Sequence, residues 1–284
     1  MNDYKLKKPI RMIALDLDGT TLNSNSRLSE RTRNTLEEAC RQGVCIVVST
    51  GRSYNSLPDD VKSVKGVSYA ITSNGAHIND IGSGRSVYDD YLSEEAIKAV
   101  EDITSDLGEG YAGIEVFIDG QAYMDAGHYH YIEENGCEFR NADYVLWSRK
   151  PIDDINKLLH DNSSKIENIN ICFKSTDALE TAREAVESIP NATITSSFRN
   201  NLEVGGPDTS KKHALIELML RLGIEPDELM CCGDAPNDIQ MLEFAGLGVA
   251  VGNAWGGTKD HADYITGTND EDGVAQAIEL FVLK

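Results

Sequence analysis

Mainly apolar segments alternate with segments of helical periodicity at both ends of this 284-residue chain. The strands predicted from the apolar segments are "RMIALDLD", "VCIVVSTG", "SYAITSNGA", "ELMCCGD" and "LGVAVG". Helical segments are predicted at "SERTRNTLEEACRQG", "YNSLPDDVKS", "SKKHALIELMLRLG", "APNDIQMLEFAG" and "DGVAQAIELFVLK". Strands without a polar face are buried on both sides, so this order is typical of an α/β fold with a parallel sheet and helices on both faces.

The middle of the chain has a different pattern, since its strands alternate polar and apolar residues. Asp119-Gly120 predicts a hairpin turn between two of them. Two helices are predicted, "PIDDINKLLHDN" with Pro151 at its start and "TDALETAREAVESI". This region is expected to be an α+β module whose sheet is covered on one face. The domains predicted from the change of pattern are a core of residues 1–84 and 200–284 and an insert of residues 85–199.

The charge balance excludes some classes of partner. The chain has 26 Lys and Arg residues against 47 Asp and Glu residues, and its formal net charge of −21 argues against binding to nucleic acid or to an anionic membrane. No apolar run approaches the roughly 18 residues that would span a bilayer. The apolar segment after the basic N-terminus runs into Asp16, so no secretory signal is expected. The six cysteines form no CxxC pair and are expected to be reduced thiols of a cytoplasmic protein.

Polar and charged side chains follow the predicted core strands at the point where each strand ends. They are Asp16 and Asp18 after the first strand, Thr50 and Arg52 after the second, Asn74 after the third, and Asp234, Asn237 and Asp238 after "LMCC". Lys211 begins the helix that precedes this last strand. Ligands of open parallel sheets bind outside the carboxyl ends of the strands, so we expect these side chains to meet in one crevice.

Four carboxylates in one crevice imply a bound cation. Two like charges about 4 Å apart repel by roughly 4 kcal/mol at an effective dielectric constant near 20. Oxygen ligands without Cys or His favour a hard ion, and Mg²⁺ suits a site that it shares with water and phosphate. A calcium-binding loop beginning at Asp16 is excluded, because its fifth, sixth and twelfth positions hold Thr20, Thr21 and Arg27. Taken alone, "DLDG" is explained equally well as a structural turn.

The chain resembles the haloacid dehalogenase superfamily, and more closely its Cof-type sugar-phosphatase branch. The segments that carry the resemblance are "DLDGTTL", "STGR", "TSKKHAL" and "GDAPNDIQML", in this order, with "TSNGAHI", "VAVGNA" and "DGVAQAI" as further matches. The insert matches only in size and position, and Lys212 stands where the branch usually has glycine. The resemblance implies a Rossmann-like core with an inserted C2B-type cap that supplies specificity.

The resemblance also implies a Mg²⁺-dependent phosphatase acting on a small phosphorylated metabolite, expected to be a sugar phosphate. Asp16 would be the nucleophile that forms an aspartyl-phosphate, and Asp18 the general acid and base. Phosphate and substrate would be bound by Thr50, Gly51, Arg52, Asn74, Lys211 and Asn237, of which Thr50 and Lys211 are also catalytic. Magnesium would be held by Asp16, the backbone carbonyl of Asp18 and Asp234, with Asp238 either a ligand or a residue that orients a metal-bound water or Lys211.

Other interpretations of the same residues remain open. A phosphomutase would share the nucleophile but retain the phosphoryl group and exclude water, and a non-catalytic ligand-binding protein would keep only the fold. Asn74 is explained equally well as a turn residue, Arg52 as a bracing ion pair and Asn253 as a helix cap. The oligomeric state is expected to be a monomer or a homodimer.

Overall fold

The computed structural model describes residues 6–108, 111–138 and 140–283. These residues form two compact units. The core unit comprises residues 6–51, 57–88 and 211–283, and the insert unit comprises the described residues among 52–56 and 89–210. The boundaries therefore lie later in the chain than the change of sequence pattern places them, and a short segment after the second core strand groups with the insert unit.

The described residues contain fourteen strands and ten α-helices. The strands are β1 (Met12–Leu15), β2 (Cys45–Ser49), β3 (Val67–Thr72), β4 (His77–Asp80), β5 (Arg85–Asp89), β6 (Tyr111–Ile118), β7 (Gln121–Asp125), β8 (Arg149–Ile152), β9 (Ile166–Phe173), β10 (Thr193–Thr195), β11 (Asn201–Gly205), β12 (Leu229–Gly233), β13 (Leu247–Ala250) and β14 (Tyr264–Ile265). The helices are α1 (Glu30–Arg41), α2 (Asp59–Lys62), α3 (Glu94–Asp106), α4 (Ala126–Asn135), α5 (Ala142–Ser148), α6 (Ile155–Asp161), α7 (Thr176–Glu187), α8 (Lys211–Leu222), α9 (Ile239–Phe244) and α10 (Gly273–Phe281). Within this described part, no helix combines the length and apolarity needed to cross a membrane.

The core unit is built on one eight-stranded sheet in the order β14-β13-β12-β1-β2-β3-β4-β5. β1 lies between β12 and β2 and is parallel to both. Met12 and Ala14 pack with α8 and α9 on one face, while Ile13 and Leu15, which point the other way, are also buried. Both faces of β1 are therefore covered, and the α/β class with a parallel-sheet core is confirmed.

The parallel order ends at β3, because the chain reverses there without a crossover helix. Ser73, Asn74 and Gly75 have φ angles of 50°, 57° and 113°, and β4 then runs antiparallel to β3. The sequence pattern predicts neither β4 nor β5, since both are short and β5 is largely exposed.

Helix α1 illustrates how local signals place the core elements. The Ser29 side chain accepts a hydrogen bond from the N–H of Thr32 at 3.0 Å, as expected of an N-cap. Gly43, with a φ of 87°, follows the end of the helix. Both predicted ends of this helix are confirmed.

The insert unit is built on a six-stranded sheet in the order β10-β11-β9-β6-β7-β8. β6 and β7 are antiparallel and joined by Asp119 and Gly120, whose φ angles of 49° and 73° are both positive. Two left-handed residues are what a two-residue turn of the primed type requires. The hairpin predicted at this dipeptide is confirmed.

The two faces of the insert sheet differ in chemistry. One face carries Ile114, Val116 and Ile169 and packs against α3, α6 and α7. The other carries polar side chains, among them Glu115 and its strand neighbour Asn170. Helices α4 and α5 cover part of this second face around Met124, so the expectation of a sheet covered on one face only is wrong there.

The predicted helix beginning at Pro151 is wrong in its first residues. Pro151 lies in β8, an edge strand, where a residue without an N–H is tolerated. Helix α6 begins at Ile155, because Asp154 caps it by accepting a hydrogen bond from the N–H of Lys157 at 2.8 Å.

Candidate active site

The loop after β1 places its two aspartates in different environments. Asp16 is 6% exposed, and its N–H donates to the carbonyl of Cys232 at 3.0 Å, whereas Asp18 is exposed. Gly19 has a φ of 78°, and a Cβ at this position would lie 2.6 Å from Asp234 Oδ2. Glycine is therefore required both by the turn and by the close approach of the Asp234 carboxylate.

Asp238 uses both of its carboxylate oxygens for contacts within the protein. Oδ2 accepts hydrogen bonds from the N–H groups of Asp234 at 2.9 Å and Ala235 at 3.0 Å, and Oδ1 accepts one from Lys211 Nζ at 2.6 Å. Gly233, at the end of β12, permits this, because a Cβ there would lie 2.5 Å from the Cβ of Asp238. The carboxylate of Asp238 thus holds both the loop after β12 and the ammonium group of Lys211.

Lys211 is the first residue of α8 and is 1% exposed. Its Nζ donates to Asp16 Oδ1 and to Asp238 Oδ1, each at 2.6 Å. Burial alone would lower the pKa of Lys211, but the charges of Asp16 and Asp238 and their hydrogen bonds outweigh it and raise that pKa. The group is therefore a permanently charged ammonium between two carboxylates.

Three carboxylates, those of Asp16, Asp234 and Asp238, offer oxygen atoms that lie within 4.8 Å of one another. Burial raises the pKa of Asp16 well above its usual range against the opposing charge of Lys211. Burial and then the charge of Asp238 raise the pKa of Asp234 to about 7. The single positive charge of Lys211 therefore does not neutralise the three carboxylates. A cation that bound these oxygens would favour the ionised forms of the carboxyl groups.

Two threonines of "DGTTL" donate hydrogen bonds to Asp234 and Asp16, two residues of this cluster, and the sequence reasoning assigned them no role. Thr20 is 1% exposed, and its hydroxyl donates to Asp234 Oδ1 at 2.7 Å. The hydroxyl of Thr21 donates to the carbonyl of Asp16 at 2.5 Å. One feature of the sequence could have indicated a role for them. Both threonines follow directly after the turn at the end of the first strand, where an α/β fold places residues of its ligand site.

A second group of predicted residues lies at the ends of β2 and β3. Thr50 is 1% exposed, and its carbonyl accepts a hydrogen bond from the N–H of Asn74 at 3.1 Å. Asn74 Oδ1 in turn accepts a hydrogen bond from Asn237 Nδ2 at 3.0 Å. A Cβ on Gly51 would lie 3.1 Å from Asn74 Oδ1. The structure therefore joins Thr50, Gly51, Asn74 and Asn237.

Arg52 is the predicted site residue that groups with the insert unit. Its guanidinium carbon lies 4.2 Å from the ring centroid of Tyr144, and its NH1 donates to the carbonyl of Ser56 at 3.1 Å. Arg149 approaches the same ring at 5.1 Å. Within the insert unit, Arg52 therefore packs on the ring of Tyr144 by a cation–π contact.

Asn253, considered above as a helix cap, connects two loops of the core unit. Its Nδ2 donates to the carbonyl of Gly19 at 2.7 Å, and its Oδ1 accepts from the N–H of Asn269 at 2.9 Å. The contact with Gly19 braces the turn that carries Asp18. Asn253 caps no helix of its own segment, and the N–H that it accepts belongs to the first residue of a short 3-10 helix, Asn269–Glu271.

A model of the haloacid dehalogenase-like hydrolase family matches residues 13–278. Phosphatase YwpJ of Bacillus subtilis is 32% identical over 286 residues, covering 95% of this chain and 99% of the relative. The 5-amino-6-(5-phospho-D-ribitylamino)uracil phosphatase YcsE of the same organism is 31% identical over 276 residues, covering 96% of each. A solved haloacid dehalogenase-like hydrolase from B. subtilis matches with a TM-score of 0.79 at 31% identity, covering 95% of this chain and 99% of that chain.

The chain belongs to the haloacid dehalogenase-like hydrolase family, since the family model and these relatives span nearly all of it. The resemblance drawn from the four strand-end segments is thereby confirmed. The protein is an enzyme, a phosphatase of the haloacid dehalogenase type.

Proposed function

We propose that the protein is a Mg²⁺-dependent phosphatase that hydrolyses a small phosphorylated metabolite through an aspartyl-phosphate on Asp16. The observation that carries the proposal is the contact of Lys211 Nζ with Asp16 Oδ1 at 2.6 Å inside a buried carboxylate cluster. The ammonium keeps one oxygen of Asp16 oriented and offsets the repulsion between this carboxylate and an incoming phosphate dianion.

Asp16 and Asp18 divide the chemistry between them. The carboxylate of Asp16 attacks phosphorus, and the ester oxygen leaves as the alcohol once Asp18 has given it a proton. Asp18 then takes a proton from the water that hydrolyses the acyl phosphate, which releases phosphate and restores Asp16. The exposure of Asp18 supports this role, because the residue must meet the leaving group and then water.

Hydrogen-bond donors near the end of β2 are proposed to bind the phosphoryl oxygens of the substrate. Thr50 is proposed to donate its hydroxyl, and Gly51 to allow the backbone to come close to the group being transferred. Asn74 and Asn237 belong to the same group of side chains. Arg52 is proposed to contact substrate only through the insert unit, where its guanidinium packs on Tyr144.

The residues present fit a hard divalent cation. The oxygens proposed as ligands are those of Asp16 and Asp234, and no Cys or His belongs to the described cluster. The backbone carbonyl of Asp18 is proposed as a third ligand. Asp238 is proposed to act through Lys211 and the loop, because its oxygens already accept three hydrogen bonds. When bound, Mg²⁺ would supply positive charge to the phosphoryl oxygens and to the carboxylates.

The substrate class is proposed to be an organic monophosphate on a hydroxylated carbon chain, as in a sugar phosphate. YcsE is named for a substrate with a phosphate on a ribityl chain, which has the same local chemistry. We further infer a cytoplasmic protein with no nucleic-acid or membrane partner. The net charge of −21 and six free cysteines support that inference.

Hydrolysis of an aryl phosphate, with and without Mg²⁺, tests the mechanism against Asp16→Asn. We expect the variant to lose at least about 1,000-fold in kcat, since the covalent route is closed. Asp18→Asn is the matched comparison, and it should slow both the phosphorylation of Asp16, which releases the alcohol, and the hydrolysis that releases phosphate. Full activity of Asp16→Asn, or undiminished activity after chelation of divalent cations, would refute the proposal.

A further inference from the structure

The chain enters α8 through a tight turn in the segment "VGGPDTS", which ends at Ser210. The N–H of Thr209 donates to the carbonyl of Gly206 at 3.2 Å, and Pro207 follows Gly206 at the position where a β-turn favours proline. Thr193 of β10 holds the same turn, since its N–H donates to the carbonyl of Gly206 at 3.1 Å and its hydroxyl to that of Pro207 at 3.1 Å. The residues directly before α8 therefore belong to a fixed turn.

Asp90 binds this turn from another segment of the chain. Its Oδ2 accepts a hydrogen bond from the hydroxyl of Thr209 at 2.6 Å and one from the N–H of Asp208 at 3.1 Å. Thr209 is buried, and Asp90 is half-buried. Gly206 permits the approach, because a Cβ there would lie 2.6 Å from Asp90 Oδ2. Hydrogen bonds to a charged acceptor are stronger than those between neutral groups, so the carboxylate holds the turn more firmly than a neutral side chain would.

The contact joins two residues that are 119 positions apart in the chain. Asp90 directly follows β5, and Thr209 lies two residues before Lys211, the first residue of α8. A second contact lies two residues beyond Lys211, where the ring centroid of His213 is 6.1 Å from that of Tyr88 in β5. Residues on both sides of Lys211 therefore contact β5 or the residue that follows it.

The position of this turn matters because the Lys211 side chain is confined. It is 1% exposed, and its Nζ reaches Asp16 Oδ1 and Asp238 Oδ1, each at 2.6 Å. A misplacement of about 1 Å caused by a distant substitution can cost about 100-fold in rate. A shift of the turn would move the start of α8, and the ammonium group of Lys211 would carry that shift to Asp16.

We propose that Asp90 and Thr209 are positioning residues, which place the first residue of α8 so that the Lys211 ammonium orients the Asp16 carboxylate. Neither residue is assigned a contact with the substrate or with a cation, and both act through Lys211. The inference rests on the proposed function in one respect, since it requires that Lys211 assist the attack of Asp16 on phosphorus.

Steady-state hydrolysis of an aryl phosphate by the full-length protein with Mg²⁺ tests the positioning role. We expect Thr209→Val, which keeps the shape of the side chain and removes the hydroxyl, to lower kcat about 10-fold while KM stays within about 2-fold. Asp90→Ala should lower kcat to a similar extent. The double variant should lose less than about 2-fold beyond the less active single variant, because both substitutions remove the same contact. Either single variant suffices for the test if the other does not fold.

Three further variants are the controls. Thr209→Ser keeps the hydroxyl and Asp90→Asn keeps an acceptor oxygen, so each should retain at least about a third of the wild-type kcat. Asp208→Ala removes an exposed carboxylate from the same turn but keeps the N–H that Asp90 binds. Its kcat should stay within about 2-fold of the wild type.

Lys211→Ala, measured alongside, separates this inference from the proposed function, and it should lose at least about 100-fold in kcat. If it does, three results would overturn the positioning role and leave the phosphatase proposal intact. They are an unchanged kcat in Thr209→Val and Asp90→Ala, losses that multiply in the double variant, or an equal loss in Thr209→Ser. Full activity of Lys211→Ala would overturn both the role of Lys211 in the proposed function and the positioning role.

Discussion

At the scale of single residues, the site depends on hydroxyl groups as well as on carboxylates. Thr20 is neither an acid nor a base, yet its buried hydroxyl donates a hydrogen bond to Asp234 Oδ1 at 2.7 Å. A hydrogen bond to a charged group contributes about 1.5–3 kcal/mol. Its loss should therefore be visible in the properties of Asp234.

We expect Thr20→Val to weaken cation-dependent activity, because the variant keeps the shape of the side chain and removes the donor to Asp234. The Mg²⁺ concentration needed for half-maximal activity should rise by about 10-fold. Thr20→Ser keeps the hydroxyl and is the matched control, which should stay near the wild type. Equal behaviour of the two variants would contradict the role assigned to the hydroxyl of Thr20.

Gly19 and Asn74 show that a residue type can indicate a turn without indicating the tertiary contacts of that residue. Gly19 in "DLDG" is explained by a turn, but the approach of Asp234 Oδ2 to within 2.6 Å of a Cβ position is a second requirement. Asn74 looked equally like a turn residue and a ligand of phosphate. Its side chain accepts a hydrogen bond from Asn237, a contact that no local pattern around residue 74 contains.

At the scale of elements, local sequence signals predicted both ends of α1 and the hairpin of the insert unit. Gly120 is the clearest case, because its left-handed φ of 73° is combined with a close neighbour, the Cβ of Tyr54, 3.1 Å from where its own Cβ would lie. Its N–H also donates to Glu167 Oε1 at 2.6 Å. The turn therefore connects to two other segments of the insert unit.

Gly120→Ala should lower the free energy of unfolding by about 1–2 kcal/mol, because alanine is strained at this φ and its methyl group meets Tyr54. Asp119→Gly is the matched control, since glycine relieves the positive φ of 49° at the preceding residue. It should change stability by less than about 1 kcal/mol. Urea unfolding monitored by circular dichroism measures both, and a harmless Gly120→Ala would contradict the assigned turn.

Sequence reasoning missed α3, although the side chain of Ser93 caps it by accepting a hydrogen bond from the N–H of Ala96, and it missed several elements whose local signals are weaker. β4 and β5 are short, and the reversal that creates them depends on three consecutive positive φ angles, two of them in non-glycine residues. α4 and α5 carry few buried apolar positions, so their helical periodicity is weak. Pro151 suggested a helix start, but the cap at Asp154 and the edge position of β8 decided otherwise.

At the scale of the whole molecule, a second charge cluster lies in the insert unit. Glu115 is fully buried and accepts hydrogen bonds from Arg140 at 2.6 Å and from Arg149 at 2.9 Å. Burial would raise the pKa of Glu115, but the two guanidinium groups outweigh it and lower this pKa to about 2. Asn170 adds a further donor at 3.1 Å.

This cluster should make the free energy of unfolding depend on pH between about 2 and 4.5. The folded-state pKa of Glu115 lies below its ordinary value of 4.5, so its contribution is complete above pH 4.5 and is lost as the pH falls towards 2. Glu115→Gln should lower the free energy of unfolding by about 3 kcal/mol at pH 7, and by roughly half as much at pH 3.

Urea unfolding at pH 7 and pH 3 measures the effect of Glu115→Gln. Glu180→Gln is the control, because Glu180 pairs with Arg183 on an exposed helix surface and its loss should have little effect. If the difference in free energy of unfolding between Glu115→Gln and the wild type did not change with pH, packing rather than the charge of Glu115 would stabilise this part of the insert unit.

The sequence by itself predicted which residues carry the chemistry and determined that they follow apolar strands of a parallel sheet. Asp16, Lys211 and Asp234 were found because each stands at the end of an apolar strand or the start of a helix, and the topology of a parallel sheet brings such positions to one edge. That inference needs only periodicity and residue type, which are local properties of the chain. The family assignment rested on the same segments.

Only the tertiary structure decided how these residues act on one another. Lys211 and Asp16 are 195 positions apart, and Asn237 and Asn74 are 163 apart. Whether Asp238 faces a cation or Lys211 depends on the backbone N–H groups that reach its second oxygen. Hydrogen bonding requires atoms within about 3 Å in a favourable direction, and a one-dimensional pattern of residue types does not contain that information.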